Sequence, residues 1–564
     1  MCVKLTPLSH CALKNDDKRV VAVVQGQLIN KAQFHTDVMA NALVFSKHKA
    51  QYFALFYEDA YSFCVSLLAL MHSGKKVWIA GNNKNTTANK LTELGCMLLG
   101  DWRGHELLVE PDYKGEFKLT PLSSKNSQIM IFTSGSSGEA KIISKSLNQF
   151  QSEIDFLEQQ WGALLGQAQV LATVSHQHIY GLLFRLLWPL AAGRVFHSQM
   201  FLSPEPLLKT AGNIDAYWVA SPAQLKRLDE ETPWNETARL TTIFSSGGFL
   251  PTDAATQIQS SCGHKIIEVY GSSETGGIAW RQSVDDPLWT PFAGVQMTMD
   301  KNAACQLYSP YLADDKTFRM DDKIELHSNG QFTLLGRMDR IVKVEEKRLS
   351  LDELEQALNK SDWISQSHTL KLADIRDKIA TVLILTEKGR QYVEEQGRAS
   401  LIKNLRKQLM QRFESVVLPR KWMFMQAIPL TVQGKINQLL LNQLFSLDKD
   451  RFPQIHLCDL NEDKVELLLR VQPGLIYFPG HFPEQPILPG ATQLAWVETL
   501  GKIIFNIELP FLRMEVIKFK KIIQPGDLIR MELNWKADKA KLYFDLSSEN
   551  DSHSSGRMLY GAHG

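Results

Sequence analysis

The 564-residue chain has no CxxC pair among its seven cysteines, which argues against both a disulfide framework and a zinc site. It also lacks an early apolar run of bilayer length. The longest, "FCVSLLALM" (Phe63 to Met71), is far too short to span and reads as a buried helix. Neither sign of charge is in excess, with 62 Lys plus Arg against 61 Asp plus Glu, so no general attraction to nucleic acid or an anionic membrane is implied. A signal-peptide pattern is missing from the polar-interrupted start "MCVKLTPLSHCALKNDDKR", and a reducing cytoplasm is the expected home. Internal repeats and low-complexity tracts are absent as well. What is present, 44% apolar and 22% charged residues, is ordinary globular composition in a chain too long for one core.

Three units are expected. Up to about residue 335, short runs such as "VVAVV", "KVWIA", "QVLATVS" and "HKIIEVYGSS" alternate with helical stretches, which suggests an α/β domain with buried parallel strands over 1–336. A smaller α+β unit over 337–445 carries helices such as "LSLDELEQAL". The polar stretch 446–454 reads as a linker. Residues 455–564 supply further strands and one apolar helix, "GATQLAWVETLGKIIF".

At the end of the apolar run "QIMIF" stands "IFTSGSSGEAKIISKS". Thr133, Ser134, Ser136 and Ser137 offer hydroxyls, and Gly135 and Gly138 let backbone N–H groups approach an anion. Lys141 adds a point charge. Taken alone, the stretch is equally a Gly/Ser surface turn, and it lacks the terminal Gly-Lys-Ser/Thr of the usual nucleotide loop. More polar clusters follow at strand ends: "SHQHIYG" (Ser175 to Gly181), "SSGG" (Ser245 to Gly248), "EVYGSSETGG" (Glu268 to Gly277), "FRMDD" (Phe318 to Asp322), "GRMDRIVKVEEKRLSLDELE" (Gly336 to Glu355) and "PLTVQGKINQ" (Pro429 to Gln438).

In this order and spacing the series resembles the acyl-adenylate-forming superfamily of acyl-CoA synthetases, aryl-CoA ligases and peptide-synthetase adenylation domains, over roughly residues 20 to 445. The resemblance implies a large α/β domain followed by a small mobile one, with ATP and Mg²⁺ as cofactors. It implies that 133–141 embraces the β- and γ-phosphates, that Glu274 holds Mg²⁺, and that Ser273 keeps a hydroxyl near the α-phosphate. Tyr270, beside Gly271 and the Gly247–Gly248 turn, would stack on adenine. Asp322, helped by Arg337, would accept the ribose hydroxyls, and Lys435 would bridge the carboxylate and α-phosphate oxygens. His178 would border the carboxylate pocket, and Asp339 would be the hinge. Outside such a series, Glu274 is a helix cap, Asp322 a turn residue and Lys435 a solvated charge.

His176 and His178, two apart, would share one face of a strand, but no third metal ligand is near in sequence. The segment lacks the aspartate with which amino-acid-activating domains hold an α-amino group, so an aryl or fatty carboxylate is expected. Departures from the family pattern are Ala140 for the proline before the lysine, Met320–Asp321 for Thr-Gly, and Glu346 for the glycine beside the pantetheine tunnel.

"YFPGHFPEQPILPGATQLAWVETL" with "KFKKIIQPGDLIRMEL" resembles the hotdog-fold 3-hydroxyacyl-carrier-protein dehydratases, in which a curved antiparallel sheet wraps a long helix. His481 matches the base, and Gly490 opens the helix whose N-terminus would polarise the thioester carbonyl. The acid is expected fourteen positions after the histidine, where this chain has Ala495. Glu498 lies one turn on, and Glu484 replaces a glycine. A weak or inactive dehydratase that binds acyl-pantetheine or drives dimerisation is the expectation.

The two halves together resemble fusion proteins of fatty-acid-like or aryl polyene pathways. The leading function is ATP-dependent ligation of a carboxylic acid to the thiol of CoA or an acyl-carrier protein. A bifunctional ligase and dehydratase, or a catalytically dead acyl-binding scaffold, are the alternatives.

Overall fold

In a computed structural model of the chain, the residues described are 5–14, 16–102, 116–134, 140–226, 228, 232–300, 304–312, 317–337, 340–344, 347–372, 378–431, 435–460, 464–479, 485–549 and 551–561. They divide into two compact units. The first is Met1–Leu335 with Val432–Lys435, and the second is Gly336–Thr431 with Ile436–Gly564.

The first unit holds two large sheets. In one, Met97–Gly100, Tyr52–Phe56, Lys76–Ala80 and Gln128–Ser134 run parallel, and Ala140–Ser146 closes the edge antiparallel. The other has eleven strands, with a parallel centre that includes Gln169–Ala172, Ala216–Ala220, Leu240–Ser245 and Ile266–Ser272. Ala216–Ala220 is buried along its whole length, as expected of a parallel strand covered on both faces. The run Phe63–Met71 lies inside helix Ala60–His72, whose first turn is capped by the Asp59 carboxylate accepting the Ser62 N–H at 2.7 Å. Helix Leu147–Leu165 begins on a reciprocal cap, in which Ser146 Oγ accepts the Gln149 N–H and Gln149 Oε1 accepts the Ser146 N–H.

In the second unit a three-stranded sheet (Ile364–Leu372, Lys378–Leu385, Lys421–Phe424) is followed by helix Gln438–Phe445. A six-stranded antiparallel sheet comes next, ordered Gln454–Leu460, Lys464–Arg470, Leu528–Lys536, Lys541–Ser547, Ser552–Tyr560, Phe511–Phe519. Helix Gly490–Phe505 packs its Trp496, Val497 and Leu500 on that sheet. The two sheets meet edge to edge: Met425, just past Lys421–Phe424, bridges in parallel to Cys458, and the Gln426 N–H donates to the Cys458 carbonyl at 3.1 Å. One buried cluster runs through both, from Leu370, Val382 and Leu441 to Cys458, Leu467, Trp496 and Leu533. The stretch between is fastened too, since Trp496 Nε1 donates to the Arg451 carbonyl at 2.8 Å.

Candidate functional site

The hairpin that carries the Gly/Ser stretch is in place at both ends, with Thr133 paired to Lys141 and Ser134 to Ala140. Gly135, Ser136, Ser137 and Gly138 lie outside the described residues. Lys141 is exposed at the start of the returning strand. That strand also carries Lys145, which is 3% exposed.

"YGSSETGG" forms the turn between Ile266–Ser272 and Gly276–Gln282. Ser272 Oγ and Thr275 Oγ1 hydrogen-bond at 3.0 Å across it. A Cβ at Gly271 would run into the Gly276 carbonyl, so this close approach demands glycine. Two residues not singled out in the sequence hold the turn from beneath. Lys145 Nζ donates to the Glu274 carbonyl at 2.8 Å, and Glu153 Oε1 accepts the Gly277 N–H at 2.8 Å. Burial pushes Lys145 down to about 8, against Glu153 and Glu274, and burial pushes Glu153 up. No described residue donates a hydrogen bond to the Glu274 carboxylate.

Tyr270 and Asp322, 52 positions apart, are brought together, with the Tyr270 hydroxyl donating to Asp322 Oδ2 at 2.5 Å. The Tyr270 ring stands 5.6 Å from Trp289 and 6.1 Å from Phe332. Gly247 has φ +90°, the left-handed conformation that favours glycine, and Ser246 Oγ ties this turn to the Val269 carbonyl at 2.7 Å. Arg337 ends strand Phe332–Arg337, and its side chain lies outside the description, as do Asp339 and Glu346.

The histidine segment differs from its sequence expectation. Residues 175–178 form a turn ahead of the short helix Ile179–Gly181, so the two histidines do not share a strand face. His176 is buried, with Nε2 3.0 Å from the Tyr57 carbonyl and Nδ1 3.2 Å from Arg185 Nη1. Burial, then Arg185, pushes its pKa well down, so Nε2 carries the proton and donates. Burial, then the charge of Lys435 in the same unit, pushes His178 down to about 4. Lys435 itself is exposed. Beyond His178 in sequence, tilted aromatic rings follow in contact, Tyr180 with Phe184 (4.9 Å) and Phe184 with Phe244 (5.2 Å).

In the second unit Gly490 opens its helix as expected, with a Cβ there meeting the Phe519 ring at 2.7 Å. His481 and Glu484 lie outside the described residues. Ala495 is exposed on the helix, and the Glu498 carboxylate pairs with Lys502 Nζ at 2.6 Å.

Among the described residues no cluster of three or more His, Cys, Asp or Glu could hold a metal. A lone carboxylate such as Glu274 fits Mg²⁺, which takes one or two carboxylates and completes its shell with phosphate oxygens and water. No helix among them is long and apolar enough to cross a membrane.

Residues 44–305 match the family of AMP-binding enzymes, and residues 458–557 match the ApeI-like family, described as ApeI dehydratase. A "D-alanine--D-alanyl carrier protein ligase" of Staphylococcus aureus is 27% identical over 353 residues, 55% of this chain and 69% of that protein. A plipastatin synthase polypeptide of Bacillus subtilis is 31% identical over 133 residues, 24% of this chain but only 5% of that much longer protein. ATP-bound MatB from Rhodopseudomonas palustris superposes with a TM-score of 0.63 at 16% identity, covering 78% of this chain and 99% of its own, a likeness of fold. Residues 44–305 therefore form a domain of the AMP-binding-enzyme type with the adenylate-forming fold, and residues 458–557 an ApeI-like domain of the hotdog type.

Proposed function

We propose that the chain activates a carboxylic acid as its acyl-adenylate and passes the acyl group to a phosphopantetheine thiol, on acyl-carrier protein or CoA. The observation that carries this reading is the contact of Tyr270 with Asp322 beside the turn that presents Glu274. It groups a ring for a base, an acceptor for ribose hydroxyls and a carboxylate for a cation.

In this reading a carboxylate oxygen attacks the α-phosphorus and the bond to pyrophosphate breaks; then a thiolate attacks the acyl carbon and AMP leaves. Thr133 to Lys141 bind the β- and γ-phosphates, Gly247 and Gly248 border the base, and Arg337 assists Asp322 at the ribose. Ser273 places a hydroxyl at the α-phosphate. Lys435 lies close enough to His178 to depress its pKa, which suits a cation bridging the substrate carboxylate and the α-phosphate. His178 stays neutral beside it, bordering the acid. A Mg²⁺ ion held by Glu274 would neutralise charge on the triphosphate. Asp339 serves as the hinge between the two half-reactions.

An aryl or fatty acid suits the pocket better than an amino acid. The segment Ser175 to Gly181 has no carboxylate, and two buried ones in the unit are already paired: Glu158 with Arg194 and Glu268 with Arg281. An α-ammonium would lack a counter-charge, while the rings beyond His178 suit an apolar acyl group. Acid-dependent ATP–pyrophosphate exchange over a panel of carboxylic acids, D-alanine included, tests the reading.

For the dehydratase-like unit we infer a weak or inactive lyase that binds acyl-pantetheine or supports a homodimer, since Ala495 offers no acid and Glu498 is tied to Lys502. If the missing acid explains the weakness, Ala495→Asp or Ala495→Glu should raise dehydration of a 3-hydroxyacyl-carrier protein about ten- to a thousand-fold, the order a positioned acid contributes, and His481→Ala should cancel the gain. Robust wild-type activity that depends on Glu498 would instead support the bifunctional alternative. The enzyme is proposed to work in the cytoplasm.

A further inference from the structure

The Glu274 turn rests on two buried charges that the reaction does not use. Lys145 and Glu153 are 3% and 4% exposed, in strand Ala140–Ser146 and helix Leu147–Leu165. A buried lysine and glutamate would ordinarily close on each other, because burial of either charge costs several kcal/mol without close partners. These two are not within ion-pair distance of one another; each turns to backbone. Lys145 Nζ donates to the carbonyls of Glu274 (2.8 Å) and Tyr311 (2.9 Å), the second shared with Gln149 Nε2 (2.8 Å). Glu153 Oε1 accepts from Gly277 N–H at 2.8 Å. Its carboxylate lies so close under the turn that a Cβ at Gly276 would stand 2.7 Å from Oε2, and one at Gly277 2.9 Å from Oε1. The turn is thus gripped at two points three residues apart, one of them the carbonyl of Glu274.

Lys145 also shares its strand with Lys141, four residues nearer the Gly/Ser stretch, a span of about 13 Å at strand rise. One paired strand therefore runs from beside the candidate phosphate segment to the underside of the Glu274 turn. We propose that Lys145, with Glu153, is a positioning residue that fixes the Glu274 carboxylate relative to the triphosphate so that both meet the same Mg²⁺. This rests on the reading of Glu274 as the Mg²⁺ carboxylate.

The test uses the full chain with a non-hydrolysable ATP analogue and Mn²⁺ binding followed by electron paramagnetic resonance, alongside the Mg²⁺ dependence and acid KM of pyrophosphate exchange. Lys145→Met and Glu153→Leu should each weaken Mn²⁺ binding about ten- to a hundred-fold, the range for residues that orient a metal ligand. Half-saturating Mg²⁺ should rise with it while the acid KM stays within about two-fold, since uniform unfolding damage would move both. Glu153→Gln, which keeps an acceptor for the Gly277 N–H, should retain near-native Mn²⁺ affinity and serves as the rescue if Lys145→Met does not fold. Glu274→Gln reports on the underlying reading. If it weakens Mn²⁺ binding while folded Lys145→Met and Glu153→Leu do not, the clamp is overturned and the reading stands. If Glu274→Gln binds Mn²⁺ as wild type does, the reading falls and the clamp with it.

Discussion

The two units of this chain bury different things. The first encloses Lys31, Lys75, Lys145, Glu153, Glu158, Arg185, Arg194, Glu268 and Arg281, all below a tenth exposed, whereas the described part of the second encloses no Lys, Arg, Asp or Glu to that degree. Its interior is the apolar cluster around Trp496, Leu467 and Leu533, with a few neutral groups such as Thr369, Gln493 and Ser554. Buried charge is costly and persists where something fixes its geometry. In the first unit Lys145 and Glu153 sit under the turn that carries Glu274, while Glu158 and Arg194 pair inside the core.

The largest effect should come from removing the one exposed charge assigned to the reacting oxygens. Lys435→Ala should lower adenylate formation at least about 10²- to 10³-fold, as loss of a charge-stabilising donor does, with ATP binding little changed. Single-turnover assays on the carboxylate and on pre-made acyl-adenylate separate the steps. Equal loss in both would break the assignment of Lys435 to the first.

Next comes the price of buried charge. Glu158→Leu leaves Arg194, whose side chain is fully buried, without its carboxylate, and should cost about 3–5 kcal/mol. Adding Arg194→Met should restore much of this, because both charges then leave the interior. Hydrogen exchange over 169–220 measures both. If the single variant is neutral, the pair is not held as the first unit's interior implies.

The second unit should answer as one body. Leu441→Ala, in the cluster shared by both sheets, should cost about 2–5 kcal/mol. Amide protection should fall together in Lys378–Leu385 and Lys464–Arg470. Loss confined to the first strand would show that the two sheets cohere less than their common core suggests.

Acid should separate the units more gently. Burial holds His72, His178 and His197 of the first unit near 4, and His456 of the second. The unfolded chain takes up these protons first, near 6.5, so their contribution is intact above that pH and is lost as pH falls toward 4. Glu515 of the second unit, held near 2 by Lys541 and Arg513, gives way only below about pH 4.5. Between pH 6.5 and 4.5, amide protection factors, corrected for the intrinsic pH dependence of exchange, should therefore fall more in the first unit than in the second.

Much of this was legible in the sequence. The alternation of apolar runs with helical stretches marked the parallel sheets, and the ordered polar clusters marked Tyr270, Glu274 and Asp322, because strand ends and tight glycine turns leave local signatures. Lys145 and Glu153 left none: one looks like another basic residue in a polar strand, the other like the polar face of a helix. Their role comes from partners more than a hundred positions away. The histidine pair misled for a related reason. Alternation at 175–178 fits a strand, but the buried Arg185 and the Tyr57 carbonyl draw His176 inward and the backbone turns. The joined core of the second unit was equally hidden, since the polar stretch 446–454 gives no hint that Met425 would meet Cys458.

The central claim, that the first unit makes an acyl-adenylate, is tested most directly by ATP–pyrophosphate exchange with the full chain, Mg²⁺ and a panel of aryl, fatty and amino acids. The account predicts exchange that requires an aryl or fatty acid, is not supported by D-alanine, and is lost in Lys435→Ala and Glu274→Gln. Exchange that runs without any acid, or that survives both substitutions, would contradict it.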